Sequence, residues 1–480
     1  MFPGEGPKLS WNQCWALLII SSQCLLFTGL VYGWSSLQIM LRSEGVYECN
    51  KETDEDDDDE TCPRQTIQFS LVFTIGQFAF GIAGPFVGLL LDDPRFGVVF
   101  VGNLGCSLVG IGLLLIANLP NTSSGDDMII PGMALIGAAG PTVFYPMLRR
   151  ADAFAGYEGH VITLLNALFD GSAALFAVLL IFYEAGVSRQ VILGVFGSCA
   201  FCFVPTNSLV SYLATSPESV VVSTKQDSLK EQPEKTTNSE IDKLEEVRTS
   251  EEEVAVPHLH SLPVFDMLMT REFLYILCFA SVSVLHSNTY LGFVGDALLY
   301  HTSEHRMEQL VQMFSFMLPA GVFTTPLVGA VIQRGPWFSL LVTNISGIVH
   351  ILMSILLPVS LQPITFAIFV IFRTFLYSSL VAAVASIFGY RKLGSLLGVL
   401  FAVSAAFALL QYPLASWTVR SNNGDWMWAF LLIGLLHLPL FLLTTKGCPN
   451  ECARISPQVV RTDQREMERE LTGGATETPI

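Results

Sequence analysis

Long apolar segments alternate with short polar ones along most of the chain. Each apolar segment has about 20 residues or more, which is enough for an α-helix to cross the hydrocarbon core of a bilayer. The pattern predicts twelve membrane-spanning helices, with expected bounds 11–41, 67–91, 96–118, 128–148, 159–183, 189–213, 271–295, 307–332, 337–358, 363–388, 394–417 and 427–446. The predicted fold class is therefore an all-α integral membrane protein.

One long polar segment, residues 214–270, divides the predicted helices into two groups of six. It is rich in Ser, Thr, Glu and Lys and cannot bury enough apolar surface to fold. We therefore predict a disordered cytoplasmic linker at 214–270 that ends in an amphipathic lead-in. The flanking domains are a six-helix bundle at 1–213, a second bundle at 271–446 and a polar cytoplasmic tail at 447–480.

Short motifs recur about half a chain apart. Pro85-Phe-Val-Gly-Leu-Leu-Leu-Asp92 is similar to Pro326-Leu-Val-Gly-Ala-Val-Ile-Gln333, and Phe154-Ala-Gly-Tyr157 is similar to Phe388-Gly-Tyr390. Internal repeats of this kind relate the two halves of many transporters. The arrangement of six and six helices with a repeat resembles the major facilitator superfamily, and it implies two pseudo-symmetric halves.

The composition fits a membrane protein and argues against other classes. Hydrophobic residues make up 51% of the chain and charged residues only 14%, with a mean hydropathy of +0.52, whereas soluble domains carry about 25% charge. Much of the net charge of −17 comes from the segments 52–60 and 230–253, and no basic patch predicts a nucleic-acid partner. Because the sequence has no Walker loop, GxSxG, HExxH or zinc-spaced Cys/His pattern, we expect a transporter driven by a gradient, with no enzyme activity, cofactor or metal.

The distribution of Lys and Arg predicts the orientation in the membrane. With the N-terminus inside, most basic residues lie on the cytoplasmic side, including Arg149-Arg150 and Arg391-Lys392. Twelve helices then place both termini and the linker in the cytoplasm. We expect a multi-pass plasma-membrane protein that functions as a monomer, with the lipid bilayer and a small-molecule substrate as partners.

Two charged residues lie near the middle of predicted helices. Arg373 is in the tenth helix and Asp170 in the fifth, at similar depths by residue count. A charge at that depth costs roughly 2.5 kcal/mol or more and needs a partner, a wet cavity or a ligand. Two interpretations stay open. Either the residues form a fixed ion pair between the halves, or Arg373 binds the carboxylate and Asp170 the ammonium group of an amino acid.

Other polar side chains inside the predicted helices extend this candidate substrate site. Tyr377 is one helical turn from Arg373 and shares its face, and Asn166 is a further candidate in the fifth helix. In the seventh helix, His286-Ser-Asn288-Thr-Tyr290 brings together donors and acceptors. The alternative is a packing role, because interhelical hydrogen bonds in membranes contribute about 0.6 kcal/mol each. His286 is either a packed histidine or a proton carrier.

A loop after the second predicted helix is a candidate gate. Gly88-Leu-Leu-Leu-Asp92-Asp-Pro-Arg95-Phe-Gly97 resembles the major facilitator signature G-x-x-x-D-R-x-G-R-R, although the residue after Asp92 is acidic and the distal basic pair is missing. The resemblance implies a tight cytoplasmic turn. In such a turn Gly88 permits close helix approach, and Asp92 pairs across the interface between the halves. Arg95 completes this candidate gate, and an ordinary charged turn is the alternative.

Two covalent modifications are expected in predicted outer loops. Cys49 and Cys62 flank the acidic segment of the first loop, and the oxidising exterior favours a disulfide between them. A solvated loop is the preferred interpretation of the acidic residues, with cation binding as the alternative. Asn121-Thr-Ser123 is a glycosylation sequon.

Several motifs resemble solute carrier family 43, whose members include sodium-independent facilitators of large neutral amino acids. They are Gly33-Trp-Ser-Ser-Leu37, Phe69-Ser-Leu-Val-Phe-Thr-Ile-Gly76, Leu168-Phe-Asp-Gly-Ser172 and Phe372-Arg-Thr-Phe-Leu-Tyr377. The chain is also similar to amino acid transporters of apicomplexan and other protists. The resemblance implies facilitated, alternating-access uniport of large neutral or aromatic amino acids. A purine nucleobase facilitator is the alternative because one branch of the family carries nucleobases, and a non-transporting membrane receptor or scaffold is an alternative of another class.

Overall fold

A computed structural model describes residues 10–47, 63–93, 95–118, 128–154, 157–214, 263–389 and 393–446. Apolar runs of this length form helices because a helix satisfies its own backbone hydrogen bonds inside a bilayer. The α-helices are α1 Trp11–Phe27, α2 Trp34–Ser43, α3 Pro63–Asp92, α4 Gly97–Ala117, α5 Ile129–Arg149, α6 Glu158–Ser172, α7 Leu175–Glu184, α8 Arg189–Cys202, α9 Val204–Ala214, α10 Val264–Leu268, α11 Arg271–Leu299, α12 Glu304–Met317, α13 Thr325–Ile332, α14 Pro336–Leu356, α15 Gln362–Phe388, α16 Leu393–Ala408, α17 Gln411–Ser421 and α18 Met427–Lys446.

The described residues contain nine helices or helix pairs that are long and apolar enough to cross a membrane. Two further spans are bent: Trp11–Phe27 meets Leu30–Ser43 at 42°, and a second break joins Glu304–Thr324 to Pro326–Ile332. A shorter apolar helix runs over Met427–Phe441. The predicted all-α, multi-pass membrane fold is confirmed. The predicted linker and tail lie almost wholly outside the described residues, and the proposed domain bounds stay predictions.

The first and fifth predicted spans break at points that contact each other. The 3₁₀ turn Leu30–Gly33 separates α1 from α2, and α6 ends at Ser172 just before α7 begins. The backbone N–H of Gly29 donates to Ser172 Oγ at 3.0 Å. A Cβ at Gly29 would lie 2.4 Å from the Phe169 carbonyl oxygen, so only glycine permits this approach. The two breaks therefore hold Asp170 next to the first span.

Helices of the two halves meet in pairs along the middle of the bundle. Helix α2 packs against α11 and α12, and α7 also packs against α12. Helix α3 packs against α16 and α17, while α6 contacts the 3₁₀ segment Leu318–Thr324. Gly81 and Ala405 give a close α3–α16 approach, because a Cβ at Gly81 would lie 2.2 Å from the Ala405 side chain. The first half therefore contacts the second through α2, α3, α6 and α7.

Candidate functional site

Arg373 projects from the middle of α15 and is buried, with its residue only 7% exposed. Its guanidinium carbon lies 4.1 Å from the ring centroid of Tyr32 and 5.5 Å from that of Tyr377. Arg373 Nη2 is 3.8 Å from Asp170 Oδ1. Its Nη1 has no hydrogen-bond partner among the described residues. Two cation–π contacts and one long ionic contact therefore hold this charge.

Asp170 contributes the opposite charge from the first half. It lies near the C-terminal end of α6, directly before the helix break, and its side chain is 34% exposed. Asn166, one turn earlier on the same helix, is exposed as well. The exposed Asn166 and the half-buried Asp170 lie one turn apart on α6, and Asp170 is the one nearer Arg373. The structure brings Asp170, Arg373 and Tyr377 together, as predicted from depth and helical spacing, and their role stays a proposal.

An aromatic wall lines the Asp170 side of this pair. We use this name for Tyr32, Phe80, Phe144 and Phe169. The rings of Tyr32 and Phe80 are 5.4 Å apart, those of Phe80 and Phe169 5.9 Å, and those of Phe144 and Phe169 5.0 Å. Such spacings are those of favourable edge-to-face and offset pairs. Phe80, Phe144 and Phe169 could not be singled out by sequence, since phenylalanine in an apolar helix has no distinctive pattern.

Asn288 is buried on α11, and its Oδ1 has no hydrogen-bond partner among the described residues. Gly292, one turn further along α11, contacts the Phe73 ring of α3. Asn288 therefore lies on the face of α11 that meets the first half. Tyr290 lies on another face, where its ring is 4.3 Å from that of His350 and 4.7 Å from that of Phe369. The contacts of Tyr290 are thus to an aromatic cluster of the second half instead of to Arg373 or Asp170.

Three histidines from α11, α14 and α18 meet in that cluster. His286 Nε2 and His350 Nδ1 are 2.9 Å apart, and the ring of His437 is 5.2 Å from that of His286. His437 Nδ1 is 2.7 Å from Asn344 Oδ1. Sequence reasoning singled out His286 alone, because His350 and His437 are far away along the chain. Within the described ranges, no group of three His, Cys, Asp or Glu side chains is arranged to hold a metal ion.

The halves are joined at the end of the bundle where α2 and α11 terminate. We call this the outer end, following the predicted orientation, and the opposite end the inner end. Arg42 Nη2 lies 2.6 Å from Asp296 Oδ1, and the two side chains are only 15% and 7% exposed. Gln38 Nε2 is 3.3 Å from both carboxylate oxygens of Asp296. The hydroxyl groups of Ser36 and Ser315 are 3.1 Å apart.

These contacts form what we call the outer latch: Arg42, Gln38 and Ser36 of the first half, with Asp296 and Ser315 of the second. Arg42 lies one residue beyond the predicted first span, 11–41, since a charge at the end of an apolar run resembles a loop charge. In the structure α2 extends to Ser43, so Arg42 faces Asp296 on the last turns of α11. The two halves are therefore closed against each other at the outer end.

At the inner end, a Cβ added at Gly88 on α3 or at Gly394 on α16 would meet no described atom within 4 Å. Within the candidate gate, Arg95 Nη2 binds Asp93 Oδ2 at 2.7 Å in the same turn, and the gating role stays a prediction. That side-chain hydrogen bond from Arg95 lowers the pKa of Asp93 below its ordinary value. The side chain of Asp92 is outside the described residues, so its predicted pairing across the interface stays a prediction.

The three predicted modification sites lie outside the described residues. They are Cys49, Cys62 and Asn121. The expected disulfide and glycosylation therefore stay predictions from the sequence.

Comparison with known proteins identifies relatives of similar length. Human large neutral amino acids transporter small subunit 3 is 23% identical, and the match covers 90% of this chain and 92% of the relative. Bovine equilibrative nucleobase transporter 1 is 22% identical over 88% and 92%. Aromatic and large neutral amino acid transporter 5-3 of Toxoplasma gondii is 22% identical over 88% and 80%. The resemblance to large neutral amino acid transporters and their protist relatives is thereby confirmed.

A solved structure and a family model agree with this fold. The crystal structure of a peptide transporter, POT, in complex with sulfate matches with a TM-score of 0.63 at 11% identity. The match covers 92% of this chain and 96% of the other. The family model described as Major Facilitator Superfamily matches residues 64–387. With helices that close at one end around a central charged site, the chain belongs to the major facilitator superfamily and is a membrane transporter of that type.

Proposed function

We propose that the protein is a facilitative carrier of large neutral amino acids, in which Arg373 binds the substrate carboxylate and Asp170 its ammonium group. The observation that carries the proposal is the incomplete pairing of these two charges. A direct contact between an ionised nitrogen and a carboxylate oxygen is about 2.7–2.9 Å long. Here the nearest atoms are 3.8 Å apart, and Arg373 Nη1 has no partner among the described residues.

Electrostatics in the membrane favours a zwitterionic ligand for this pair. A buried ion is stabilised only when an opposite charge and hydrogen bonds compensate its lost hydration. An amino acid supplies both opposite charges on one carbon atom, so each end satisfies one protein group and no net charge is added. A nucleobase supplies neither charge, so Arg373 and Asp170 would have to compensate each other's lost hydration.

The surroundings of the pair suit an apolar side chain. The aromatic wall of Tyr32, Phe80, Phe144 and Phe169 lies beside Asp170, and ligand sites are mostly apolar with a few polar groups that fix orientation. This arrangement supports a bulky neutral substrate. The names of the human and Toxoplasma relatives support the same class.

The outer latch supports an alternating-access cycle, because it closes the halves at one end. At the other end, Gly88 and Gly394 have no described atom within 4 Å of an added Cβ. Rocking of residues 1–213 against 271–446 would open the outer end and close the inner one. We propose this uniport cycle for a plasma-membrane protein with both termini in the cytoplasm.

Uptake by proteoliposomes containing the purified full chain tests the proposal. We expect saturable uptake of labelled leucine and phenylalanine that unlabelled amino acids compete and adenine does not. Arg373→Ala should raise KM about 10- to 150-fold, the range expected for losing a hydrogen bond to a charged group. Arg420→Ala, which removes an exposed arginine of α17, is the matched control.

Each outcome separates the candidate functions. Uptake of adenine instead of amino acids would support the nucleobase alternative, which the bovine relative exemplifies. Absence of uptake for both adenine and amino acids would favour a non-transporting receptor or scaffold. If folded Arg373→Ala transports leucine with unchanged KM, the carboxylate role is wrong. If Asp170→Asn/Arg373→Gln restores both folding and transport to misfolded single variants, the pair is a structural link instead.

A further inference from the structure

Three buried amide side chains lie at the boundary between the halves. They are Gln77 on α3, Asn288 on α11 and Gln411 at the start of α17, and none is more than 4% exposed. The atoms Gln77 Nε2, Asn288 Oδ1 and both side-chain polar atoms of Gln411 have no hydrogen-bond partner among the described residues. Because each unsatisfied buried group costs about 1–3 kcal/mol, the set is unfavourable unless something binds it.

Helix register places Gln77 and Asn288 at one level, and Gln411 lies on a helix that packs against both of theirs. The Phe73 ring of α3 contacts Gly292 of α11, where an added Cβ would lie 2.4 Å from it. The two helices are antiparallel, so one turn towards the inner end leads to Gln77 on α3 and to Asn288 on α11. Gln411 belongs to the buried face of α17, and α17 packs against both α3 and α11. We call Gln77, Asn288 and Gln411 the amide cluster.

The amide cluster lies on the outer side of the Arg373 site. Gly81, one turn inward from Gln77, contacts the backbone of Phe401, whose ring is 6.1 Å from that of Tyr377. Tyr377 in turn contacts the guanidinium group of Arg373. The contacts that lead from the amide cluster to Arg373 therefore run inward through Gly81, Phe401 and Tyr377.

Packing within the second half also places the amide cluster on the outer side of Arg373. Phe372, which precedes Arg373 on α15, stacks on His286 with ring centroids 4.6 Å apart. Asn288 follows His286 by two residues in the direction of the outer end. The amide cluster is therefore the outer neighbour of the proposed zwitterion site on both α3 and α11.

We propose that the amide cluster is a substrate subsite for an uncharged hydrogen-bonding group at the end of the amino acid side chain. This inference rests on the proposed amino acid transport, and within the large neutral amino acids it adds a preference for those with a side-chain hydroxyl or carboxamide. The two subsites differ in charge. The zwitterion matches Arg373 and Asp170, whereas a neutral cluster with unpartnered donors and acceptors matches a group that both donates and accepts.

The expected discrimination is large because a site built to hydrogen-bond a substrate rejects the analogue that lacks the group. Phenylalanine would enter the same space and leave the amides unpartnered. We expect kcat/KM for tyrosine to exceed that for phenylalanine about tenfold or more, and glutamine to exceed methionine similarly.

Uptake of labelled tyrosine and phenylalanine by proteoliposomes of the full chain tests the subsite. In Gln77→Leu, Asn288→Leu and Gln411→Leu the tyrosine-to-phenylalanine ratio should fall towards one while phenylalanine uptake persists, which also reports folding. Gln77→Met and Gln411→Met provide variants with an unbranched side chain. Gln23→Leu is the matched control: Gln23 is also buried, but its amide binds Cys106 within the first half.

The outcomes distinguish this inference from the proposed function. Equal uptake of tyrosine and phenylalanine by the unmodified protein would overturn the subsite alone, and it is the result expected if the amides hold only water. A tyrosine preference that survives in all the Leu variants would overturn it as well, as would loss of the preference in Gln23→Leu. Absence of uptake for every amino acid would overturn the proposed function and the subsite together.

Discussion

Removal of Arg42 should open the outer end of the transporter. Arg42→Ala leaves the carboxylate of Asp296, a side chain only 7% exposed, without its cationic partner. Loss of one partner from a fully buried ion pair costs about 3–5 kcal/mol. Gln38 still lies 3.3 Å from both Asp296 oxygens, and Arg42 is partly exposed, so we expect a smaller effect. A cost of about 2 kcal/mol shifts the equilibrium against the outer-closed state about 30-fold.

Thiol accessibility measures this shift directly. Ser36 is buried and hydrogen-bonded to Ser315 across the latch, so a cysteine introduced by Ser36→Cys is reached from the outer side only when α2 leaves α12. Combined with Arg42→Ala, Ser36→Cys should react with a membrane-impermeant maleimide about 30 times faster than alone. The protein without Ser36→Cys gives the background from native cysteines.

Two comparisons decide whether loss of the Arg42–Asp296 ion pair causes the faster labelling. Arg420→Ala removes an exposed arginine of α17 and should leave the labelling rate at Ser36→Cys unchanged. Adding Asp296→Asn to Arg42→Ala removes the unpaired charge and should reverse part of the increase. If Arg42→Ala labels at the unmodified rate, or if the two substitutions act additively, the latch does not hold the outer end closed.

Three further predictions concern the rest of the bundle. His437→Leu removes the contact with Asn344 Oδ1 and should lower stability by about 1–3 kcal/mol, seen as a lower Tm in detergent, without changing substrate KM. Gly81→Ala should slow transport because its Cβ would lie 2.2 Å from the Ala405 side chain, whereas Gly194→Ala, with nothing within 4 Å, should not; equal rates would contradict the close approach. Leucine uptake should be unaffected by a protonophore, since a zwitterion neutralises the Arg373–Asp170 pair without a proton; concentrative uptake driven by a pH gradient would refute this.

Sequence reasoning succeeded where one residue was unusual in its segment. A single arginine and a single aspartate at matching depth in apolar helices required compensation, and the structure places their nearest atoms 3.8 Å apart. The histidine cluster and the amide cluster could not be predicted in this way. Each member alone resembles an ordinary interhelical hydrogen-bonding residue, and only the packing of α3, α11 and α17 reveals that several lie together without partners.

The break in the first span could not be predicted from the sequence either. A single helix at 11–41 was expected, whereas the chain breaks between Phe27 and Trp34. Glycine is common in membrane helices, so Gly29 carried no local signal. Its function depends on Phe169, far away along the chain, whose carbonyl occupies the space that a side chain at Gly29 would need.

In the proposed uniport cycle, the empty protein must change conformation without substrate, and the Arg373–Asp170 pair offers a reason why it can. The two charges come from opposite halves, so their separation depends on how the halves rock. A ligand can shift that equilibrium only by binding one conformation better than another. At 3.8 Å the charges partly compensate each other in the empty protein, while a zwitterion between them would replace that contact with two shorter ones. The loaded and empty protein are then both electrically compensated, which the proposed uniport requires and a lone membrane-embedded arginine could not provide.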